Sequence, residues 1–474
     1  MQRASPEKLP RIAIIGGGPA GLTAGYILSK AKLNPVIYER SSLVGGISRT
    51  EIYEGYRFDM GGHRFFSRLP EIRSLWHEIL GADFLLRPRL SRIFYRGRFI
   101  DYPLHPLKAT ISLGPVETVR VLASLALYSC WPHKRVTNFA QWVSNRFGKR
   151  LFEIFFKTYT EKVWGVSTEE LSHDWAAQRI KNLSLGKAIA NALGWRAGVT
   201  SLIEEFHYPR FGPGMMWTAA ADRLRSNGGR LLLNTELRRL HHEDGVVRAV
   251  SLESPEGTTR ESVDYVVSSS PLPDLVASLD PSPPEAVRYA ANLLRYRDMV
   301  VVGLIVDHPD LFADNWIYVH DPSVKVARIQ NFKNWSADMV PEPSRTSLGC
   351  EYFCTAGDDL WTRSDADLIE LAKSEIAEMG FCKANKIIDG CVFRVPRAYP
   401  LYDAHYREHV DVIRQYLAGF RNLQTIGRNG QHRYDNQDHA MLAGIYAAQN
   451  IIDGGGRDAW SVNTEQTYQE ELPR

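Results

Sequence analysis

One glycine pattern near the N-terminus constrains the fold of this chain more than any other feature. An apolar strand is predicted over residues 11–15, an Ala- and Leu-rich helix follows it, and a second strand is predicted over 35–38. The turn between the first strand and the helix has the spacing G-x-G-x-x-G, with its glycines at Gly16, Gly18 and Gly21. This order of elements is typical of the first β-α-β unit of a dinucleotide-binding domain built on a parallel sheet.

The residues of this motif have separate physical roles. Gly16 makes the tight turn, Gly18 lets the backbone approach a pyrophosphate, and Gly21 lets the helix pack closely on the strand. The helix N-terminus offers free N–H groups and a partial positive charge to the phosphates. Glu39 ends the second strand, where it would accept hydrogen bonds from the adenosine ribose hydroxyls. The combination favours a dinucleotide site over an ordinary glycine-rich turn.

The segment after Glu39 indicates which dinucleotide is bound. A second glycine pair, Gly45 and Gly46, precedes Arg49. The stretch resembles the glutathione-reductase-like FAD fold that amine oxidases, protoporphyrinogen oxidase and UDP-galactopyranose mutase share, in which the backbone crosses close to the ribityl phosphate and the flavin at this point. The resemblance implies non-covalently held FAD, with contacts from the motif glycines, Glu39, Gly45, Gly46, Arg49 and Leu237.

Length and composition are typical of a globular enzyme of more than one domain. A chain of 474 residues exceeds the size at which one hydrophobic core stops growing. The net charge of +3 comes without a basic tail and gives no indication of nucleic-acid binding. Five cysteines without metal-ligand spacing predict no metal site and a reducing, cytoplasmic location, and the N-terminus lacks the apolar core of a signal peptide.

Strand and helix patterns predict a FAD-binding domain assembled from separate parts of the chain. The predicted parts are 8–75, 211–275 and 416–455, with a helical cap or substrate domain over 76–210, an antiparallel substrate sheet over 276–415 and a polar tail over 456–474. The cap segment includes a predicted hairpin at 91–103. The fold class is therefore α/β: a glutathione-reductase-like Rossmann domain with an inserted helical cap and an antiparallel sheet over the flavin.

The longest apolar run, residues 119–131, is too short to span a bilayer, so no transmembrane segment is predicted. We expect it to be a buried helix of the cap. A segment that lies on a membrane surface is the alternative.

Two clusters in the first half of the chain carry residues suited to chemistry. Gly62 and His63 belong to a loop that we expect over the flavin ring, where His63 either contacts the flavin and transfers protons or is structural. Trp164 precedes Gly165 at a predicted helix end, and Arg179 follows fifteen residues after Trp164. This pair would form a stacking face and a phosphate clamp, or else a core tryptophan and a surface ion pair.

Two further clusters lie in the second half. Arg328 falls inside a strand pattern at 326–332 and points either to solvent or into a pocket. A dense polar loop joins a predicted strand at 423–426 to a helix that begins near 438. It contributes Gly427, Arg428, Asp435, Asn436 and Gln437 as expected cofactor contacts, although Asp435 or Asp438 would equally serve as a helix N-cap.

The order of these clusters resembles UDP-galactopyranose mutase. The resemblance implies that Trp164 stacks on uridine or lines the sugar pocket, and that Tyr399 and Tyr434 add hydroxyl contacts. It also implies that Arg179, Arg328 and Arg428 contact the diphosphate and the sugar. His63, Arg328 and Arg428 are then the expected catalytic residues.

Two reaction classes follow from the sequence. In the mutase-like class, N5 of the reduced flavin acts on a nucleotide-diphosphate sugar, with external NAD(P)H as an electron donor and the arginines holding the diphosphate. In the alternative, the protein is a FAD-dependent oxidase or dehydrogenase of the amine oxidase or protoporphyrinogen oxidase type. Such a site has aromatic walls around a desolvated small molecule and needs no phosphate clamp. The number of arginines at the matched positions favours the first class.

Overall fold

Three separate stretches of the chain meet in one parallel sheet of five strands. The structure is a computed structural model that describes residues 9–102, 113–172 and 204–463. The strand order is Leu423–Thr425, Tyr265–Ser268, Ile12–Ile15, Val36–Tyr38 and Arg230–Leu232. Every neighbouring pair is parallel. The predicted α/β fold class is therefore confirmed, and the glycine motif follows the central strand.

The parallel sheet is the middle layer of three. Ile12 and Ile14 pack against the helices Pro19–Lys30, Pro213–Ser226 and Gln437–Asp453 on one face. Ala13 and Ile15 face the opposite way. On that side lies an antiparallel sheet made of Glu236–Glu243, Val246–Ser254 and Gly257–Ser262, with Leu279–Asp280 joined to it in parallel. Burial on both faces explains why the central strand is uniformly apolar.

A second large sheet, here called the roof sheet, has seven strands. Their order is Ile387–Pro400, Tyr296–Val306, Thr346–Cys354, Arg328–Asn331, Trp316–Val319, Ser91–Tyr95 and Arg98–Asp101. The predicted hairpin is present and forms one edge of this sheet, paired in parallel with Trp316–Val319. The strand Ile387–Pro400 at the other edge was not predicted, because Gly, Pro, Asp and Arg interrupt its apolar pattern.

The two faces of the roof sheet have different neighbours, as the period-2 alternation of strands requires. Cys350 and Tyr352 pack under the helix Asp365–Glu378. Phe353 and Met299 belong instead to the core that faces the helical segment. This second face is the one that covers the cavity described below.

The described part of the segment between the hairpin and the second part of the parallel sheet is made of helices and helical turns. They are Pro115–Cys130, Phe139–Phe147, Lys149–Phe152, a π-helical turn at Glu153–Lys157, and Thr158–Trp164, which ends at the left-handed Gly165 as predicted. The expectation of a buried helix around 119–131 is wrong. Val121 is the only buried residue of Pro115–Cys130, because the helix packs on the outside of the shorter helices along one narrow stripe.

The structure contains further helices and strands besides those of the two large sheets. They include the helices Pro70–Leu80, Leu272–Ser278, Glu285–Leu293 and Tyr406–Leu417, the hairpin Thr50–Tyr53 with Tyr56–Asp59, and the pair Phe84–Pro88 with Glu205–Pro209. Within the described ranges, no helix has both the length and the apolar character needed to cross a bilayer.

Candidate active site

One continuous cavity of about 840 Å³ runs from the glycine motif to the roof sheet. Gly16, Gly18 and Glu39 line its first end, and Arg328 and Tyr399 line the other. Gly62, His63, Gly427, Arg428, Asp435, Asn436 and Gln437 lie along the walls between them. Residues predicted from distant parts of the sequence therefore share one cavity.

Glu39 is fixed at the mouth of the glycine motif by three hydrogen bonds. The Gly17 N–H donates to its Oε2 at 2.7 Å, and the backbone N–H and hydroxyl of Ser41 donate to its Oε1 at 2.8 and 2.7 Å. These bonds hold the carboxylate at the cavity wall. Oε2 accepts only one of these bonds, so it has a further lone pair with which to accept a ribose hydroxyl.

The space between the two glycine segments fits a pyrophosphate. A Cβ atom on Gly18 would meet only the Cα of Gly46, at 3.9 Å, so a side chain there would extend into the cavity. The Gly45 N–H donates to the Gly17 carbonyl at 2.8 Å and brings the two segments together. The N-terminus of Pro19–Lys30 opens onto the same space. The residues present therefore fit FAD.

Two of the predicted cofactor residues shape this space without lining it. A Cβ atom on Gly21 would lie 2.0 Å from the Gly16 carbonyl oxygen, so Gly21 permits the close packing of helix on strand. Gly45 has φ 101° and lies against Trp217. Arg49 and Leu237 do line the cavity, and Arg49 is held by Glu51 at 2.6 Å.

His63 is neutral in this environment. Its Nδ1 lies 2.9 Å from the Gly61 carbonyl oxygen, which can only accept, so Nδ1 carries the hydrogen. Burial, and then the positive charge of Arg428, lower its pKa to about 3. The other ring nitrogen is therefore an acceptor.

Arg328 points into the cavity and not to solvent, but its charge is balanced. Arg328 and Glu351 face each other across two antiparallel strands of the roof sheet. The Arg328 Nε donates to Glu351 Oε2 at 2.7 Å, and Nη2 donates to the Tyr399 hydroxyl at 2.9 Å. Gln330 donates to the second oxygen of Glu351 at 2.8 Å. Glu351 is fully buried, so the pair forms a neutral unit on the cavity wall.

Arg428 is also engaged by the protein. It donates to the Asp435 carbonyl through Nε and Nη2, at 3.0 and 2.8 Å, and to the Ala398 carbonyl at 3.0 Å. Its guanidinium lies 5.2 Å from the ring centre of Tyr399 and 4.9 Å from that of Tyr434. These bonds fix the plane of the guanidinium against the two rings.

The predicted aromatic residues join the two arginines in one cluster. Tyr399 and Tyr434 stack with ring centres 5.5 Å apart, and Trp164 lies 6.1 and 6.2 Å from them. Trp164 lines the cavity. The predicted Arg179 lies outside the described residues, so its position relative to this cluster is not assigned.

The helix after the polar loop begins differently from the sequence expectation. Asn436, not Asp435 or Asp438, is the N-cap of Gln437–Asp453, and its partner in the capping box is His439. The Asp435 carboxylate accepts instead from Asn463 at 2.8 Å. The Asp435 side chain is therefore engaged by the C-terminal segment, while the neighbouring Asn436 caps the helix.

Several walls of the cavity were not identified from the sequence. The further aromatic lining residues include Tyr102, Phe139, Phe155, Phe156, Tyr159, Trp316, Tyr318 and Phe353. Trp316 and Tyr318 alternate along one strand and His320 directly follows it, and that period-2 pattern was the available signal. His320 stacks on Tyr159 at 4.6 Å. Burial, and then Lys162, lower the pKa of His320 to about 3, so this side chain is also neutral.

Comparisons with known proteins agree with this geometry. The family described as flavin containing amine oxidoreductase matches residues 19–452. The chain is 22% identical to a 15-cis-phytoene desaturase of Arabidopsis thaliana, over 94% of this chain and 81% of that protein. It is 25% identical to a coproporphyrinogen III oxidase of Mycobacterium leprae, over 86% of this chain and 90% of that protein.

A solved structure extends the comparison to the fold. The crystal structure of a reduced UDP-galactopyranose mutase has a TM-score of 0.84 to this chain at 23% identity, covering 97% of this chain and 99% of the other. At that identity the likeness describes the fold. It covers both the parallel sheet and the roof sheet.

Proposed function

Because the chain belongs to the flavin-containing amine oxidoreductase family, we propose that it oxidises a flat, largely apolar small molecule by removing a hydride from a C–H bond. The observation that carries this proposal is the character of the chamber, by which we mean the cavity end under the roof sheet. Aromatic side chains form its walls, and the two described arginines predicted to hold a diphosphate are occupied by protein groups.

The aromatic walls favour a substrate that is readily desolvated. Trp164 and Trp316 are 2% and 5% exposed, and Tyr159, Tyr318 and Tyr399 are also on the cavity wall. Aromatic rings offer flat faces for stacking and little capacity to solvate charge. Both histidines of the chamber are neutral because burial lowers the pKa of each to about 3. These features suit a conjugated or alicyclic molecule.

The charge balance argues in the same direction. A diphosphate would need positive charge that the protein has not already neutralised. Arg328 is paired with the buried Glu351, whose carboxylate would repel a phosphate. Arg428 keeps its positive charge, because carbonyl groups are neutral, but it already donates three N–H groups to two backbone carbonyls and has fewer left for phosphate oxygens. The described part of the chamber therefore gives more support to an apolar substrate than to a polyphosphate.

Roles for the chain's residues follow from their positions. Gly16, Gly18, Glu39, Gly46 and Arg49 would hold the pyrophosphate and ribose of FAD. The loop at His63 and the polar loop at Arg428 would orient the ring system. When bound, FAD supplies the hydride acceptor. His63, with its Nδ1–H fixed on the Gly61 carbonyl, would present a neutral acceptor to the substrate or the cofactor.

The sequence relatives support the same class. Coproporphyrinogen III oxidase and 15-cis-phytoene desaturase are, by their names, an oxidase and a desaturase, and the chain matches each over most of its length. We infer that a porphyrinogen-like or polyene-like molecule is the class of substrate to test first.

A nucleotide sugar is the second candidate, and one observation favours it. Trp164, Tyr399, Tyr434, Arg328 and Arg428 form a single cluster in a fold with a TM-score of 0.84 to UDP-galactopyranose mutase. If a diphosphate binds there, Arg328→Ala should weaken UDP-galactopyranose binding about tenfold to a hundredfold, and Arg328→Lys should recover only part of the loss.

One experiment separates the candidates. The FAD-loaded protein is mixed without oxygen with coproporphyrinogen III, 15-cis-phytoene or UDP-galactopyranose, while the visible absorbance of oxidised flavin is followed. Bleaching by one of the first two compounds supports the proposal. Binding of UDP-galactopyranose to the reduced protein, with dependence on Arg328 and without bleaching by the other compounds, supports the mutase-like function instead.

A further inference from the structure

The helix Pro115–Cys130 presents an apolar face to solvent. Val116, Val119 and Leu127 expose 64%, 66% and 54% of their surface, and Trp131, which follows the helix, exposes 75%. Ala123, Ala126 and Cys130 are also exposed and fall on the same side of a helix with 3.6 residues per turn. A contiguous apolar face of this kind on a folded protein marks a surface that binds something.

The surroundings of this face are strongly basic. Residues 113–150 contain six Lys and Arg residues and a single acidic residue, Glu117, although the whole chain has a net charge of only +3. Glu117 is already paired with Arg120 and Arg150. Exposed basic side chains follow the helix in the chain, at Lys134, Arg135, Arg146 and Lys149. The uncompensated charge of this region is therefore positive.

We propose that this face, together with Trp131 and the basic segment after it, binds the surface of an anionic lipid bilayer. Valine and leucine side chains would enter the acyl boundary, and Trp131 would lie at the headgroup level, which tryptophan favours. Lys134 and Arg135 would contact the anionic headgroups. The helix would lie on the membrane rather than cross it, since it has 16 residues and includes Arg120.

The charge also argues for this occupant over a second copy of the chain. A symmetric dimer through this face would place the same basic segment of each copy beside that of the other. Like charges at such short range oppose association. A bilayer with anionic headgroups provides the opposite charge and an apolar layer at the same surface.

Vesicle binding tests the proposal directly. The full-length, FAD-loaded protein is sedimented with vesicles of phosphatidylcholine alone or with added phosphatidylglycerol. We expect binding to the anionic vesicles, weaker binding at high salt, and little binding to the neutral vesicles. The variant Val119→Glu/Leu127→Glu should bind at least tenfold more weakly, and Lys134→Ala/Arg135→Ala about tenfold more weakly.

A matched control separates this face from general surface hydrophobicity. Ile52 and Tyr289 are 64% and 65% exposed elsewhere on the molecule, so Ile52→Glu/Tyr289→Glu should bind vesicles like the wild type. FAD content reports folding in every variant. Failure of the wild type to bind anionic vesicles, or equal binding by the Val119→Glu/Leu127→Glu variant, would overturn the proposal. So would a dimer in sedimentation velocity that only this variant abolishes.

Cys130 provides an independent readout, because it is the one cysteine of the chain with an exposed side chain. A polarity-sensitive fluorophore on Cys130 should shift to the blue when anionic vesicles are added. An unchanged emission spectrum in the presence of bound vesicles would show that another surface makes the contact.

Discussion

The glycine cradle, meaning the segment 12–49 around the first glycine motif, and the chamber under the roof sheet are built in different ways. The cradle is defined by backbone: Gly18 and Gly46 leave space where side chains would stand, Gly16 makes the turn against Ser269, and one carboxylate, Glu39, is fixed beside it. The chamber is defined by side chains from several distant segments. Among its arginines, Arg328 is balanced by the buried Glu351, and Arg428 is held in place by backbone carbonyls.

This difference has a functional consequence. A cradle made of backbone groups binds the part of the ligand that dinucleotide cofactors share, namely the pyrophosphate and the ribose. A chamber made of side chains changes its preference when a few residues change. The cradle is therefore direct evidence for FAD binding. The identity of the substrate depends instead on whether Arg328 stays paired with Glu351 or binds a phosphate group of the substrate.

The largest expected effects come from the cradle glycines. Gly21→Val places a side chain against the Gly16 carbonyl, 2.0 Å from the position of Cβ, and should destabilise the fold by about 3 kcal/mol or more. Gly18→Val extends into open space and should leave a folded but colourless protein. Thermal unfolding and flavin absorbance, measured together, distinguish the two. Equal loss of stability in both variants would contradict the separate roles.

Asp59 is buried outside both regions and predicts a pH dependence. Its carboxylate accepts from Thr50 at 2.8 Å and from the Tyr208 hydroxyl, and burial raises its pKa to about 7. The unfolded state releases this proton at a much lower pH, so the folded protein binds the extra proton between the two pKa values. Stability is therefore lost as the pH rises through the folded pKa, by about 3 kcal/mol between pH 5 and pH 8.

Asp59→Asn is the test of that dependence. The variant removes the ionisation, so the difference in unfolding free energy between it and the wild type should change by that amount over the same pH range. Denaturant unfolding at several pH values measures it. A constant difference would show that Asp59 is ionised throughout.

The buried pair in the chamber should have a comparable effect on stability. Glu351→Gln leaves the positive charge of Arg328 without its partner and should cost about 3 kcal/mol. Glu51→Gln is the matched control in the cradle, since the Arg49–Glu51 pair is partly exposed, and it should cost less than about 1 kcal/mol. Similar costs for both would mean that the chamber is better solvated than its burial indicates.

The smallest expected effect comes from removing a hydrogen bond that holds the Glu39 carboxylate in place. Ser41→Ala removes one hydrogen bond of 2.7 Å to the Glu39 carboxylate. Loss of one such bond is worth about 1 kcal/mol, so FAD should bind roughly fivefold more weakly. Titration of the apoprotein with FAD measures this. An unchanged affinity would show that the two backbone N–H groups hold Glu39 without help.

The contrast between the regions also explains what could be predicted from the sequence. The cradle lies within 38 consecutive residues, and its glycine spacing predicted the fold, a dinucleotide site and Glu39, while the resemblance to a known FAD fold implied which dinucleotide. Arg328, Tyr399 and Tyr434 were found because their motifs resemble a known family. The role of Glu351 was not found, because a cross-strand partner depends on the register of Arg328–Asn331 with Thr346–Cys354.

Two other differences have similar physical causes. The exposed helix Pro115–Cys130 was expected to be buried, since its composition is apolar on both the inner and the outer face. The N-cap at Asn436 was missed because several neighbouring residues have the same capping propensity. In both cases tertiary contacts, which a local pattern does not contain, decide the outcome.

Anaerobic reduction of the flavin by a candidate substrate tests the central claim most directly. Stopped-flow absorbance would follow the FAD-loaded wild type after it is mixed with a tetrapyrrole or polyene that has an oxidisable C–H bond. We expect loss of the oxidised flavin spectrum in a single turnover, with a rate that rises with substrate concentration and saturates. An unchanged flavin spectrum with every such compound, together with tight binding of a nucleotide-diphosphate sugar to the reduced protein, would contradict it.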